Sequence, residues 1–239
     1  MAFHFCNWFH SIDYLFSAMK TLHIDSVRKS YQNKVILSDI YLACKTGEIV
    51  GLLGRNGSGK STLLKIIFGS ERADNKFVRA GDRIIRNITD GRNLVNYLPQ
   101  DNFLPRGVRI RTLFELFLTS KMNRHILEHE YVQPLLNKKN DELSGGEKRI
   151  VEILLLIHSN ADFILLDEPF NGLSPKLCDY ICEYIKQLAP TKGFIISDHD
   201  YTNIINPSDR IVVLKDGYLR EIKDKAELVE LGYLLESHL

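Results

Sequence analysis

The chain has 239 residues, 44% of them hydrophobic and 26% charged, with a formal net charge of +1. That is enough apolar material for one large core and a small subdomain. The near-zero charge excludes a long-range field that would draw the protein to nucleic acid, and no basic tail reads as a membrane anchor. The longest apolar runs, such as Ile153–Ile157 and Phe163–Leu166, are too short to span a bilayer. The four cysteines, Cys6, Cys44, Cys178 and Cys182, form no C-x-x-C pair and read as free thiols in a reducing cytoplasm.

Residues 1–20 stand apart as an N-terminal extension. Phe5, Trp8, Phe9, Ile12, Leu15, Phe16 and Met19 fall on one helical stripe, but the positive start and unbroken apolar centre of a secretory signal are missing. Two readings remain, an interfacial amphipathic helix or sequence upstream of a true start at Met19, and the second is preferred. From Thr21 to residue 239 the pattern is that of one domain. Leu22–Val27 and Val35–Leu42 read as strands around the polar turn Gln32-Asn33-Lys34. Glu48–Leu53 suits a buried strand, Ser61–Phe68 a helix stopped by Gly69, and Phe77–Ile85 and Asn93–Leu98 two further strands. Residues 108–137 carry a helical period, a short insert within a helical subdomain of about 101–160. Then come a helix at 146–158, a strand at 162–166, a helix at 175–188 and a strand at 193–197. Arg210–Lys215 and Tyr218–Glu221 form a hairpin through Asp216-Gly217. Such alternation predicts a mostly parallel sheet covered by helices.

Three stretches carry chemistry. Gly54-Arg55-Asn56-Gly57-Ser58-Gly59-Lys60-Ser61 matches G-x-x-x-x-G-K-[ST], the phosphate-binding P-loop, between the predicted strand and helix. Its glycines let backbone N–H groups turn inward on an anion, with Thr62 continuing the cradle. Lys60 then reaches the β- and γ-phosphates and the Ser61 hydroxyl ligates Mg²⁺. About a hundred residues on, Phe163-Ile164-Leu165-Leu166-Asp167-Glu168-Pro169 is a buried strand ending in two carboxylates. Asp167 is placed to hold Mg²⁺ and Glu168 to polarise an attacking water. Leu143-Ser144-Gly145-Gly146-Glu147 opens an amphipathic helix with a hydroxyl and free N–H groups, a second anion site in a chain that already has one.

The three motifs in this order resemble the ATP-binding subunit of ATP-binding cassette (ABC) transporters, over roughly residues 21–221. The resemblance implies an α/β fold: a P-loop NTPase core with a mostly parallel sheet, an N-terminal antiparallel β subdomain and a short α-helical subdomain. It implies an ATPase using Mg²⁺ and ATP. Gln100 matches the glutamine that contacts Mg²⁺ and the attacking water, His199 the histidine that senses the γ-phosphate, and Tyr31 the ring that stacks on adenine. Two such subunits, identical or closely related, would pack head to tail. ATP would close between the P-loop of one and Leu143–Glu147 of the other, with Glu168 as general base. A separate transmembrane permease would hold them at the inner face of the cell membrane. The rival is a soluble member of the family acting on ribosomes or DNA, against which stand the single cassette and the lack of a basic surplus. A regulatory module without turnover is a further rival, opposed by the intact Lys60, Asp167, Glu168 and His199.

The sequence also departs from that pattern. Ser174 stands where the family has an aspartate that speaks across the dimer, and Ile153–Ile157 replaces small alanines in the signature helix. The insert between Gln100 and Leu143 is short. Other motifs are weaker. His125-Ile126-Leu127-Glu128-His129 matches a zinc-peptidase pattern without a third ligand. Asn137-Lys138-Lys139-Asn140 lacks the aspartate of a guanine-reading motif. Lys138-Lys139 and Lys148-Arg149 read as solvated faces, and His158 as a helix C-terminal cap.

Overall fold

The computed structural model describes residues 19–32, 34–118 and 126–233. The apolar stripe of residues 5–16 lies outside them, as do Cys6 and His125. An antiparallel sheet is built from Thr21–Tyr31 (β1), Lys34–Lys45 (β2), Asn75–Ala80 (β4) and Arg83–Ile84 (β5), in the order β2-β1-β4-β5. A second sheet contains Ile49–Leu53 (β3), Val95–Leu98 (β6), Phe163–Asp167 (β7), Gly193–Asp198 (β8), Arg210–Lys215 (β9) and Tyr218–Ile222 (β10). Its order is β10-β9-β3-β8-β7-β6. All its pairings are parallel except β9 with β10.

Strands β3, β7 and β8 are buried at every residue, as expected of parallel strands covered on both faces. Alternate side chains along each strand enter different cores. Leu53, Ile164, Leu166 and Ile196 join Gly145–Ile157 (α3) and Pro175–Leu188 (α4) in one cluster. Leu52, Leu165 and Ile195 join Lys60–Phe68 (α1) and the inner face of the antiparallel sheet in the other. The central sheet thus lies between a helical layer and a helix-plus-sheet layer.

Several elements differ from the sequence reading. The strand expected over Phe77–Ile85 is a tight hairpin. The chain turns at Gly81, φ +55°, and β5 pairs back on β4 through Arg79–Ile84 and Ala80–Arg83. Within the expected helical insert, the described residues hold one two-turn helix, Ile110–Phe117 (α2), and two 3-10 turns, at residues 126–128 and at Gln133–Leu135. Two short helices went unread, Tyr201–Ile205 (α5) and Lys225–Glu230 (α6). Each opens on an aspartate whose side chain accepts a backbone N–H: Asp200 from Thr202 and Asp224 from Glu227. The run Ile153–Ile157 is buried at every position. Large aliphatic residues there fill core volume, as a helix apolar on all sides must.

Leu165 is fully buried at the middle of β7. Leu165→Ala is expected to lower unfolding free energy by about 2–5 kcal/mol, read as a fall in the urea midpoint with an unchanged m-value.

Candidate functional site

Strand β3 delivers the chain into the glycine loop at the C-terminal edge of the central sheet. The Ser58 N–H donates to the Arg55 carbonyl at 3.1 Å and closes the loop. Gly59 precedes α1 with φ +107°, and a Cβ there would meet Ile36 Cγ2 at 2.9 Å, so the position requires glycine. No side chain caps α1, which leaves its first N–H groups facing the loop's hollow. A cleft of about 370 Å³ opens there. Its lining gathers Tyr31, Asn56, Gly57, Gly59, Lys60, Ser61, Thr62, Gln100 and Glu168. Gly54 is buried beneath the loop, and Arg55 and Ser58 line a neighbouring hollow with Asn56 and Gly57.

Lys60 is folded back into this cradle. Its Nζ donates to the Gly54 carbonyl at 2.7 Å and lies 3.8 Å from Glu168 Oε1. Burial lowers its pKa from the ordinary lysine value, and the nearby carboxylates of Glu168 and Asp167 oppose that shift. Tyr31 ends β1 at the cleft's rim, 46% exposed, with Lys29 Nζ 4.4 Å from its ring centroid.

The two carboxylates are held differently. Asp167 is fully buried; its Oδ1 accepts from the Ser197 hydroxyl at 2.6 Å and its Oδ2 from the Tyr97 hydroxyl at 2.9 Å. The Tyr97 hydroxyl is pushed well above its usual pKa by burial and by Asp167, so it stays a donor. Glu168 sits one residue beyond the strand with φ +46°, a left-handed conformation that costs a non-glycine residue about 1–2 kcal/mol. Its backbone N–H donates to the Ser197 carbonyl at 2.9 Å, and its Oε1 lies 3.3 Å from His199 Nδ1. The structure therefore brings Lys60, Glu168 and His199 together around one carboxylate oxygen, with Gln100 exposed across the cleft.

Lys148-Arg149 is not the solvated pair that the sequence reading expected. Lys148 is half-buried and Arg149 is only 4% exposed. The Arg149 guanidinium donates to four backbone carbonyls, those of Pro99, Asp167, Glu168 and Pro169, at 2.7–3.1 Å. Glu152, one turn on, is fully buried and its Oε1 accepts the Phe103 N–H at 2.8 Å. Tyr97, Ser197, Arg149 and Glu152 all went unread as site residues. The available signal was Glu152 inside the apolar run Ile150–Ile157, with Arg149 immediately before it.

Ser144 caps α3 in a reciprocal box: its Oγ accepts the Glu147 N–H at 3.2 Å, and Glu147 Oε2 accepts the Ser144 N–H at 2.8 Å. Ser144 and Gly145 are exposed, and a Cβ added at Gly145 would meet nothing within 4 Å. Leu143 is buried beneath them. None of Leu143–Glu147 lines the cleft at the glycine loop. Ser174 caps α4 from an exposed position, without a side-chain cap bond and followed by Pro175 at the first helical position. The weaker motifs resolve structurally. The Nε2 of His129 bonds the Tyr180 hydroxyl, and the buried Asn140 donates to the Leu104 carbonyl at 2.9 Å. His158 does occupy the C-cap of α3, with its ring turned in to the Tyr184 hydroxyl at 2.9 Å.

A P-loop at the C-terminal edge of a parallel sheet, with a carboxylate pair at the end of β7 across the intervening β8, defines a P-loop nucleotide-binding protein. Residues 37–171 match the ABC transporter family, and the chain belongs to it. It is 33% identical over 218 residues to the spermidine/putrescine import ATP-binding protein PotA of Mycoplasma capricolum, covering 87% of this chain and 62% of that protein. It is 32% identical over 222 residues to the lipopolysaccharide export system ATP-binding protein LptB of Acidithiobacillus ferridurans, covering 87% and 92%. A solved ATP-binding subunit of an ABC transporter shares the fold with a TM-score of 0.76 at 22% identity, over 89% of this chain and 93% of that one. The chain thus spans less than two thirds of the polyamine-import relative and nearly all of the lipopolysaccharide-export one.

The capping box makes an acid-side prediction. The Ser144 N–H, and after it the Lys138 ammonium, hold the Glu147 carboxyl at a pKa of about 2, below its ordinary 4.5. A depressed carboxylate contributes stability that is complete above the unfolded pKa and is lost as pH falls through the folded one. NMR titration of the Glu147 carboxyl carbon is expected to show a midpoint near 2. The stability difference between wild type and Glu147→Gln is expected to shrink steadily as pH falls below the ordinary carboxylate range.

Proposed function

We propose that this chain is the ATP-binding and ATP-hydrolysing subunit of a membrane transporter, working as a dimer with itself or a close relative and docked to a separate permease. The observation that carries the reading is the split anion machinery. The glycine loop, Lys60 and Glu168 line one cleft, with His199 bonded to Glu168 behind it, while the open helix end at Ser144-Gly145-Gly146 stays outside that lining. A second subunit's helix end over this cleft completes the site.

In this reading the triphosphate lies on the N–H groups of Gly57–Thr62, and Lys60 leaves the Gly54 carbonyl to meet the β- and γ-oxygens. Tyr31 stacks on the base. Glu168 orients and accepts a proton from the attacking water, and His199, hydrogen-bonded to the same carboxylate, contacts the γ-phosphate. The oxygen donors Ser61, Gln100 and Asp167 suit a hard cation whose remaining ligands are phosphate and water. Asp167 keeps lone pairs for that purpose after accepting from Tyr97 and Ser197. A Mg²⁺ ion held by these residues would supply neutralisation of charge on the phosphoryl oxygens.

Docking to a permease is supported by α2, which exposes Leu116 at 69% and Phe117 at 40% beside a hollow lined by Phe114, Leu118 and Leu127. No helix among the described residues is long and apolar enough to cross a membrane. A peripheral place on the inner face of the cell membrane, held by the permease, follows from the proposal. One relative's name specifies import and another's export, so the cargo and its direction lie outside the proposal.

Glu168→Gln is expected to lower phosphate release by about 10²–10⁴-fold while keeping ATP affinity, and to accumulate as an ATP-trapped dimer on size-exclusion chromatography. Lys60→Ala is expected to weaken binding of a fluorescent ATP analogue by about tenfold or more, the scale of one lost charge-assisted contact. Unchanged turnover in Glu168→Gln would remove the general base from this scheme.

A further inference from the structure

We infer that Arg149 and Glu152 are positioning residues for hydrolysis, through which the helix that begins at Ser144 holds Glu168 and the Gln100 segment in one geometry. The inference deepens the proposed ATPase reading and rests on it. Arg149 and Glu152 lie three residues apart in α3 and therefore share one helix face. Both are buried, at 4% and 0% side-chain exposure, with Nη1 of Arg149 3.6 Å from Oε2 of Glu152. Burying two charges is costly even when they pair, and an apolar pair of similar volume is often as stable or more so, so stability alone does not account for this pair. Every neighbouring residue from Ile150 to Ile157 apart from Glu152 is apolar.

The guanidinium supplies the reason. Nη2 donates to the Asp167 and Glu168 carbonyls at 2.8 and 2.9 Å, and Nε to the Pro169 carbonyl at 3.1 Å. Three consecutive carbonyls converge on one group because the backbone turns at Glu168 with φ +46°. A conformation of that kind persists where its surroundings over-determine it. A planar fork with five donors can satisfy this arrangement, whereas an ammonium on a flexible stem cannot.

The same pair grips the other side of the cleft. Nη1 donates to the Pro99 carbonyl at 2.7 Å, immediately before Gln100. Glu152 Oε1 accepts the Phe103 N–H at 2.8 Å, three residues after it. Both flanks of Gln100 are thus pinned to α3, and Glu152 Oε2 has no hydrogen-bond partner of its own. Under the two-subunit reading, α3 presents its N-terminus to the partner's nucleotide. Movement of that helix would reach this chain's own Glu168 and Gln100 through two side chains, a route independent of the position that Ser174 occupies.

The test measures steady-state ATP turnover, and separately the affinity for a fluorescent non-hydrolysable ATP analogue, on the full chain carrying R149K or E152Q. R149K is expected to lower kcat at least tenfold and to leave analogue affinity within twofold. E152Q keeps a carbonyl oxygen for the Phe103 N–H but loses the charge facing Arg149, and is expected to lower kcat at least threefold with affinity again retained. A kcat within twofold of wild type in R149K overturns the inference. So does a loss of analogue affinity as large as the loss of kcat, and so does failure of both variants to fold, which would assign the pair to stability alone. Absence of turnover in the wild-type chain would instead count against the ATPase reading.

Discussion

The register of three parallel strands governs the site. Leu53 pairs with Asp198, and Asp167 with Ser197, so β3, β8 and β7 end at one level of the sheet. Each strand then leaves the sheet into a functional segment: β3 into the glycine loop, β7 into Glu168 and β8 into His199. Ligand sites of open α/β sheets lie at these C-terminal strand ends for that topological reason. A slip of one residue would move Asp167 out of line and exchange the side chains of β7 between the two cores. With Leu165 in one cluster and Leu166 in the other, such a slip would bury nothing in the right place. The apolar patterning that folds the sheet is therefore also what brings Lys60 and His199 within 3.8 Å and 3.3 Å of one Glu168 oxygen.

Around that edge the buried polar groups are fixed by several bonds each, and Lys60 is bonded to its own loop. Asp167 has a hydroxyl on each carboxylate oxygen, and the peptides beyond it are tied to Arg149. Lys60 is held by one strong bond to the Gly54 carbonyl, a long one to the Arg55 carbonyl at 3.4 Å and a looser contact with Glu168. A desolvated ammonium that meets one carbonyl well has much to gain from a polyanion. The cleft thus combines fixed carboxylates with a cation that can be recruited.

Much of this was legible in the sequence, and the rest was not for definable reasons. The glycine loop, the Asp167-Glu168 pair and the cap at Ser144 are local patterns, because their chemistry lies in consecutive residues. Helix α3 and strands β3, β7 and β8 were found to within a residue or two, because long apolar runs state their own burial. The hairpin at Gly81 reads as one strand only if Gly81-Asp82 is passed over, a two-residue turn signal that returns the chain on itself. Tyr97, Ser197, Arg149 and Glu152 act on segments that are distant in the chain and carry no local signature. Yet Arg149 was open to inference. Placed in a helix apolar on all its later faces, Arg149 and Glu152 had no solvated side on which to lie and had to be paired inside.

The helix end at Ser144 shows how charge there is balanced. An N-terminus attracts anions through its free N–H groups and dipole, but a glutamate in the first turn works against an incoming phosphate. Glu147 is committed elsewhere: one carboxylate oxygen accepts the Ser144 N–H, and the other accepts from Lys138 Nζ at 3.0 Å. The Ser144 Oγ accepts the Glu147 N–H and keeps its own proton to donate. The box thus secures the helix while Lys138 offsets the carboxylate's charge, and the N–H groups of Gly145 and Gly146 stay positive and open. Lys138 belongs to the insert that separates Gln100 from Leu143, so the polarity of this helix end depends on how that insert packs against α3.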